Sequence, residues 1–527
     1  MGPFDSVLDA GRKTAESGVG GVRDGVGQLQ REQRRLVDEL RTLPNTDPLA
    51  GGIDDVLTEP DLTEIDRARL LVDKCTFGPT PGLVEEVAAA GPDDWLARQL
   101  EPSTIPDPQV DVLLLTFPSL QLDPALRRAY QIAPNEAAED VQLATLVRAV
   151  RSQRQLQEVM VQLWSDHFNT YVHDGLVTVV KATADAEIRS LALGRFEDLL
   201  LAVTRSPAML MYLDNHLSSV PDPNENLGRE LLELHSVGVQ AGYTEDDVLD
   251  AARAITGWTV NQVSMRFEFQ AAWHYEGPLN VLGWSHPGAS GPGAFQQGEE
   301  LIRYLASHPA TAERVCRKIA RRFVSDSPSP ELLAHLVAAY SANDTSIRAV
   351  LEALFGHAEF WASGNAKAKR PFETVAGALR ALAPQFAPWG GHFSTPAAST
   401  IRLLRAMGHA TFEWLAPDGY PDDGAYWTGA GTWLQRWNGL LALANNQVNG
   451  VTINANGIRN DVGGTTVEEF VAALGPHLTG APIEPTDIAT LVGLAGVAAT
   501  DPPTLIPDAN LRHILALVLA LPVAQVR

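Results

Sequence analysis

Helical periodicity constrains this chain more than any other feature of its sequence. From Asp61 onward, apolar residues recur at helical spacing, and residues that cap or break helices separate one run from the next. Thr244 and Asp247 have the spacing of a capping box in which Asp stands for Glu, at the start of a helix predicted over Val248–Trp258. The pattern predicts an all-α protein.

Strand signals are scarce in this sequence. Phe267–Ala271 alternates between apolar and polar residues, and Val281–Gly283 is its predicted partner strand. The predicted architecture is therefore a large multi-helix domain with a small β-hairpin and long loops.

The N-terminal part has a different pattern, which predicts an amphipathic helix. Apolar residues alternate three and four apart in a heptad seam, with one polar Gln at a core position: Val19, Val22, Val26, Leu29, Gln33, Leu36, Leu40 and Leu43. One interpretation is a homo-oligomer or a protein partner bound through Val19–Leu43. The alternative is a lone helix docked on the main domain, since short seams are marginal by themselves.

Prolines and glycines suggest where the chain divides. The heptad helix and its flanks occupy residues 1–48, and a linker rich in Pro and Gly follows at residues 49–60. The main helical domain is predicted over residues 61–446, and a C-terminal helical extension over residues 447–527.

The net charge of −24 and the pI near 4.9 exclude broad classes of function. A general nucleic-acid or anionic-membrane binder needs a basic surface, so neither class is expected. No run is apolar and long enough for a transmembrane segment, and the N-terminus lacks the order of a secretory signal, which predicts a cytoplasmic protein. Cys75 and Cys316 belong to no metal or redox motif and are predicted to be small buried side chains.

The stretch Asn224–Gly238 concentrates polar residues in one predicted helix, which Gly238 should end. Glu230 and Glu233 fall one turn apart on one arc, whereas His235 falls among leucines on the opposite arc. One interpretation is an amphipathic helix with a solvated Glu face and a core His. The other is a site inside the domain, because two close carboxylates split their pKa values or share a cation.

Several motifs together resemble the bacterial domain-of-unknown-function 1800 family. The segments that carry the resemblance are Leu70–Thr80, Trp164–Phe168, Ser206–Asp214, Asn224–Gly238, Gly242–Val248, Ala252–Trp258, His308–Ala312, Lys318–Ala320, Lys369–Glu373 and Gly419–Pro421, with Trp427 and Trp433. They cover most of the chain from Asp61 to about Asn446. The N-terminal helix and the tail after about Gly450 lie outside the resemblance.

The resemblance implies a helical fold and no established reaction. Many relatives look exported and sit near alkaline-phosphatase-like partners, whereas this chain begins without an export signal. Relatives commonly read His-Asp-x-Gly where this chain reads His274-Tyr275-Glu276-Gly277. If that Asp served a site in the relatives, Glu276 would replace it here.

Other candidate site residues lie on predicted helices and loops. His167 shares an apolar face with leucines, so it is either a core His that donates to a carbonyl or a ligand or general base beside the Glu230 helix. Arg253 either pairs with Glu230 or Glu233 or holds an anionic oxygen. His274 lies on a Gly-rich loop that could close a pocket.

These residues support two hypotheses of different classes. In the first, the protein is an enzyme: Glu230, Glu233, His167 and His274 bind a divalent metal or act as acids and bases, and Arg229 or Arg253 holds an anion. Such a mixed ligand set suits Mn, Fe or Zn activating water. In the second, the protein is a structural or assembly protein that uses its N-terminal helix, because no dinucleotide, phosphate-loop, zinc-protease or nucleophile-elbow motif is present.

Overall fold

A computed structural model describes residues 60–129, 134–386 and 396–527 of the chain. The predicted heptad helix and nearly all of the linker lie outside these residues. Within them the prediction of an all-α fold is confirmed, since helices follow one another along the chain and strands are short.

The α-helices of the described residues are numbered in chain order. The first half of the fold contains α1 (Glu64–Cys75), α2 (Leu83–Ala90), α3 (Pro92–Gln99), α4 (Pro108–Leu114), α5 (Pro124–Ala129), α6 (Pro134–Arg151), α7 (Gln155–His167), α8 (Val177–Leu191), α9 (Phe196–Arg205), α10 (Pro207–Tyr212), α11 (Asn226–Glu230), α12 (Glu245–Ala254) and α13 (Gln296–Ser307). The second half contains α14 (Pro309–Phe323), α15 (Pro330–Ala342), α16 (Ile347–Phe355), α17 (Ala358–Trp361), α18 (Pro371–Leu382), α19 (Pro396–Ala406), α20 (Gly424–Trp427), α21 (Ala430–Ala444), α22 (Ala455–Val462), α23 (Val467–Thr479), α24 (Pro485–Gly493), α25 (Asp508–Ala520) and α26 (Pro522–Gln525).

The strands form three antiparallel pairs within the described residues, and the predicted pairing was wrong. The pairs are β1 (Trp258–Val260) with β2 (Phe267–Phe269), β3 (Leu279–Val281) with β4 (Trp284–His286), and β5 (Gln385–Phe386) with β6 (Val451–Thr452). Val281 faces Trp284 across a two-residue turn, Leu282-Gly283, in which both residues have positive φ. Two-residue hairpin turns of this kind match the strand twist, so Val281 pairs locally and is not the partner of Phe267.

The start of α12 follows the prediction, and its end does not. Thr244 and Asp247 form the capping box that their spacing predicted. The helix stops at Ala254, four residues before the predicted end, and Trp258 begins β1. Gly257 lies between them with φ 77°, a conformation that a helix cannot contain.

The core is apolar and continuous, and the C-terminal helices belong to it. Residues from α1 through α25 join one cluster of buried hydrophobic side chains, which includes Trp164, Ile319, Phe372 and Leu515. The helix α25 packs along α21, and β6 pairs with β5 across the predicted boundary at residue 446. No helix within the described ranges is both long and apolar enough to cross a membrane.

Candidate functional site

The predicted helix at Asn224–Gly238 is shorter than expected and changes type. It begins at Asn226 as α11, and its last turn, Leu231–His235, is a π-helix. The Ser236 hydroxyl donates to the Leu231 carbonyl oxygen at 2.5 Å, which accommodates the wider turn. Short π-helical turns occur frequently at functional sites.

The two faces of this helix largely follow the prediction. Leu227, Leu231, Leu232 and His235 are buried, as their arc requires. Val237, which follows the end of the helix, is buried as well. Gly228 allows the close crossing of α11 and α12, since a Cβ there would lie 2.7 Å from the Ala252 nitrogen.

Glu230 and Glu233 are half-buried at the outer side of α11. Burial, and then the charge of Glu233, raises the pKa of Glu230. The Tyr243 hydroxyl donates to Glu233 Oε2 at 3.4 Å. Arg229 faces away from this pair and contacts Glu245 at 2.7 Å and Glu225 at 3.3 Å.

His167 and His235 form a buried pair at the ends of α7 and the π-helical turn. His167 is 2% exposed and its Nε2 lies 3.2 Å from the His235 carbonyl oxygen, so the prediction of a core His bound to a carbonyl is confirmed. Aromatic rings of Trp164, Phe168 and Phe196 surround it. Burial, aided by the cations Arg314 and Lys318, lowers the pKa of His235 to about 3, and the pKa of His167 also falls well below its usual value.

His274 and Arg253 have partners other than Glu230 and Glu233. The Nδ1 of His274 lies 2.8 Å from the Thr256 carbonyl oxygen, and its ring packs against Phe269. Arg253 pairs with Asp250 at 2.9 Å, so the suggested pairing with Glu230 or Glu233 was wrong.

The predicted ligands therefore occupy different surroundings. His167 is surrounded by aromatic rings, whereas Glu230 and Glu233 are on the outer side of their helix. His274 contacts the Thr256 carbonyl oxygen. No group of three or more His, Cys, Asp or Glu side chains in the part of the chain that the structure describes could hold a metal ion. Metal binding at these residues stays a prediction.

A line of three cations runs along α14 toward the interior. Arg314, Lys318 and Arg322 are each four residues apart and so share one face of the helix. Arg314 donates to the Leu234 carbonyl oxygen at 3.1 Å, and Arg322 is 1% exposed. Like charges at this spacing destabilise a helix, so other groups must compensate for them. We call these three residues the cationic stripe.

The inner end of the stripe meets a cluster of buried guanidinium groups around Glu373. Arg370 Nε and Arg527 Nη1 each lie 3.2 Å from Glu373 Oε1, and Arg322 Nη2 lies 3.6 Å from it. Arg436 is fully buried, and the charge of Glu373 partly offsets the lowering of its pKa by burial. We call these five residues the arginine core.

Three carboxylates and two lysines form a rim between the arginine core and solvent. Its members are Asp166, Asp326 and Asp422 with Lys318 and Lys367. Arg370 Nη1 contacts Asp166 Oδ2 at 2.7 Å, and Lys367 Nζ contacts Asp326 and Asp422 at 2.6 and 2.9 Å. The side chains of Asp166 and Asp422 are 19% and 20% exposed, so solvent reaches the rim.

The loop that carries Asp422 packs directly on the end of α7. Gly419 has φ 73°, and a Cβ at that position would overlap the carbonyl oxygen of Asp166. Only glycine allows this approach, which brings Asp422 to the same rim as Asp166.

The rim groups titrate unequally. Burial raises the pKa of Asp166, even though Arg370 opposes the shift. Burial also acts on Asp422, but Lys367, Arg370 and Arg322 together hold its pKa well below its usual value. Burial and the neighbouring Arg314 lower the pKa of Lys318 to about 8, while Asp166 and Asp422 oppose that shift. Within the described residues, Lys318 makes no hydrogen bond or ion pair.

One feature of the amino-acid sequence, the rarity of lysine, could have pointed to the rim, although the motifs and the helical arcs did not. Only six of the 40 basic residues are lysines, at positions 13, 74, 181, 318, 367 and 369. The five in the described residues are buried or half-buried, whereas lysine is almost never fully buried without a partner. The spacing of four between the basic residues of α14 was a second such signal.

Comparisons with known proteins identify a family but no characterised relative. A family model described as "Protein of unknown function (DUF1800)" matches residues 70–526. The match extends past residue 446. The tail after about Gly450, which the sequence motifs placed outside the resemblance, is therefore part of the family match. Searches of curated proteins and of solved structures found no match.

Proposed function

Because the chain belongs to the DUF1800 family, whose function is unknown, we propose from its own residues that it is an enzyme with a proton-transfer site at the rim. Lys318, Asp166 and Asp422 are the groups that we assign to this site. Lys318 would act as the base, Asp166 as the proton donor, and Asp422 as the fixed negative charge.

The observation that carries this proposal is the unequal titration of neighbouring groups. Environments that push the pKa values of adjacent groups apart allow one group to be an acid and another a base at the same pH. Here burial raises the pKa of Asp166, and neighbouring cations lower the pKa of Asp422. The pKa of Lys318 is lowered to about 8. A base is most efficient when its pKa lies near the working pH.

The surroundings support the same assignment. Asp166 is held by Arg370 and Asp422 by Lys367, and both cations are nearly fully buried. Fixed partners of this kind orient reacting groups before a substrate binds, which is how sites supply electrostatic stabilisation. The amine of Lys318, which has no partner within the described residues, is then the group that accepts the proton.

Competitive labelling of lysines with trace acetic anhydride across the pH range tests the proposal. We expect acetylation of Lys318 in the folded protein to be half-maximal near pH 8, because only the neutral amine reacts. Lys181 is a matched internal control: its pKa is also lowered to about 8, but it is 2% exposed and bonded to Thr170. It should stay unlabelled.

Asp422→Asn sharpens the test, because the fixed negative charge of Asp422 raises the pKa of Lys318. The labelling midpoint of Lys318 should move to lower pH in this variant. A midpoint near that of a free lysine, or a midpoint that the variant leaves unchanged, would show that Lys318 is not part of a coupled site.

The predicted metal site at His167, Glu230, Glu233 and His274 is a separate proposal. The raised pKa of Glu230 next to Glu233 is consistent with two carboxylates that could share a cation. Elemental analysis of the purified protein, with Glu230→Gln and His167→Ala, tests it. Stoichiometric metal that both variants lose would support one centre, and sub-stoichiometric metal in the wild type would rule it out.

The alternative function, assembly through Val19–Leu43, rests on the sequence pattern alone. Deleting residues 1–48 and measuring the mass by light scattering tests it. A smaller mass after the deletion would support an oligomerisation helix, and an unchanged mass would rule it out.

A further inference from the structure

We propose that Lys318 binds its substrate covalently, as an imine with the carbonyl carbon of a small molecule that also carries a carboxylate. This inference rests on the proposed function, because it uses the same rim site. It adds the class of substrate, a 2-oxo acid or a carboxylate-bearing aldehyde, and the bond that the enzyme forms.

Only Lys318 has an amine that is available for this bond among the lysines of the described residues. Each of the other four is held by acceptors. Lys74 donates to the Val324 carbonyl oxygen, Lys181 to Thr170, Lys367 to Asp326 and Asp422, and Lys369 to the Ala524 carbonyl oxygen. Lys318 is half-buried and makes no such bond within the described residues, so no acceptor there competes with a carbonyl carbon for its amine.

The rim supplies the proton that imine formation requires. The lone pair of the neutral Lys318 amine forms the C–N bond while the carbonyl π bond breaks onto oxygen, and one of the two protons on the nitrogen then passes to that oxygen to give a neutral carbinolamine. A second proton, from the carboxyl group of Asp166, lets that oxygen leave as water while the nitrogen returns its own proton to Asp166. The products are the imine and one water molecule, and no oxidant or reductant is involved.

The charges next to Lys318 favour a substrate with a carboxylate. Arg314 precedes Lys318 by one helical turn, and both Arg314 and Arg321 lower its pKa by their charge. The Arg321 side chain is 35% exposed and lies 3.7 Å from Asp423, a weak pairing at the surface. Arginine binds carboxylates through two parallel hydrogen bonds, so Arg321 is placed to receive the carboxylate of an incoming substrate.

Reductive trapping tests the inference on the full-length folded protein. Glyoxylate, a small aldehyde with a carboxylate, is added with cyanoborohydride at about pH 7.5, and the modified lysines are identified by peptide mass spectrometry. We expect trapping at Lys318 to be about tenfold or more faster than at the same residue in urea-unfolded protein, because more of the folded amine is neutral. Lys181 in the folded protein should not react.

Two controls separate the parts of the inference. Lys318→Arg keeps the positive charge but cannot form an imine, so the fast adduct should disappear while the circular dichroism spectrum stays unchanged. Glycolaldehyde, which has the same size and no carboxylate, should react at Lys318 more slowly than glyoxylate does. Equal rates would overturn the assignment of a carboxylate-bearing substrate.

The failure of this inference can be distinguished from failure of the proposed function. If Lys318 labels with a midpoint near pH 8 but glyoxylate gives no faster adduct there than in unfolded protein, the imine is overturned and the proton-transfer site stands. If the labelling midpoint lies near that of a free lysine, both are overturned.

Discussion

At the scale of single residues, burial keeps the histidine pair His167 and His235 in its neutral form. His235 is 1% exposed, its ring nitrogens make no hydrogen bond within the described residues, and burial with Arg314 and Lys318 lowers its pKa to about 3. His167 beside it is neutral for the same reasons. A cost in stability therefore arises whenever the unfolded chain can bind protons that the folded chain cannot.

His235→Phe should flatten the acid side of the stability curve. Between pH 6.5 and about 3 the unfolded His235 binds a proton and the folded one does not, so stability falls as pH falls through this window. From pH 6.5 to pH 5 this residue should account for about 2 kcal/mol of the loss. Urea unfolding at both pH values measures it, and an equal loss in the variant would contradict the assignment. The raised pKa values of Asp73 and Asp166 oppose this trend in both proteins and cancel in the difference.

Gly419→Ala should destabilise the fold by about 2 to 5 kcal/mol, because the new Cβ overlaps the Asp166 carbonyl oxygen and the backbone is left-handed. Gly408→Ala is the matched control: Gly408 has φ 77°, and no atom of the described residues lies within 4 Å of a Cβ there. It should lose only about 1 to 2 kcal/mol. Thermal unfolding of both variants measures the two losses of stability. Equal losses would show that the contact with Asp166 is unimportant.

At the scale of elements, α14 carries the arrangement that best explains the site. Its buried face holds Val315 and Ile319 as well as the cationic stripe, so one helix packs the core and lines the charged cluster. The stripe is unfavourable for an isolated helix. Arg314 and Arg322 have partners that offset this cost, and Lys318 has none within the described residues.

Lys318→Met should therefore stabilise the protein at pH 7, by about 1 to 3 kcal/mol, because it removes a partly buried charge that has no ion-pair partner among the described residues. The gain should shrink as pH rises from 8 toward 10.5, since the folded Lys318 is then neutral while the unfolded one still binds its proton. Arg317→Met on the exposed face of α14, where Arg317 pairs with Glu313, should change stability by about 0.5 kcal/mol or less. Urea unfolding at pH 7 and 9.5 compares the two, and a loss of stability in Lys318→Met would contradict this account.

At the scale of the whole molecule, residues 524–527 meet the segment Ala368–Glu373 at the charged cluster. Arg527 reaches Glu373, the Lys369 amide donates to the Gln525 carbonyl oxygen at 2.8 Å, and Ala368 bridges to Val526. The predicted division at residue 446 stays a prediction. These contacts argue that residues 447–527 complete the main fold.

A chain that ends at residue 446 should consequently lose cooperative thermal unfolding, since it exposes the α21 face that α25 covers and leaves Glu373 without Arg527. Calorimetry checks this expectation. Adding residues 447–527 as a separate peptide should restore the transition, which controls for damage unrelated to the missing contacts. A cooperative transition in the shorter chain alone would show that the two parts fold independently.

The site was only partly predictable from sequence. Helical periodicity put His167 and His235 on buried faces, and spacing put Glu230 beside Glu233, because these are relations within one helix. Arg253 was assigned to the wrong carboxylate, because the choice between Asp250 and the glutamates of another helix depends on packing.

By itself, the sequence determined the all-α class, the capping box at Thr244 and the apolar faces, since each depends on contacts between residues a few positions apart. Only the tertiary structure decided which charges meet. Asp166, Lys318, Glu373 and Asp422 lie on four separate segments, and no periodicity relates them. Burial and the sum of surrounding charges set their pKa values, and both quantities exist only after the chain has folded.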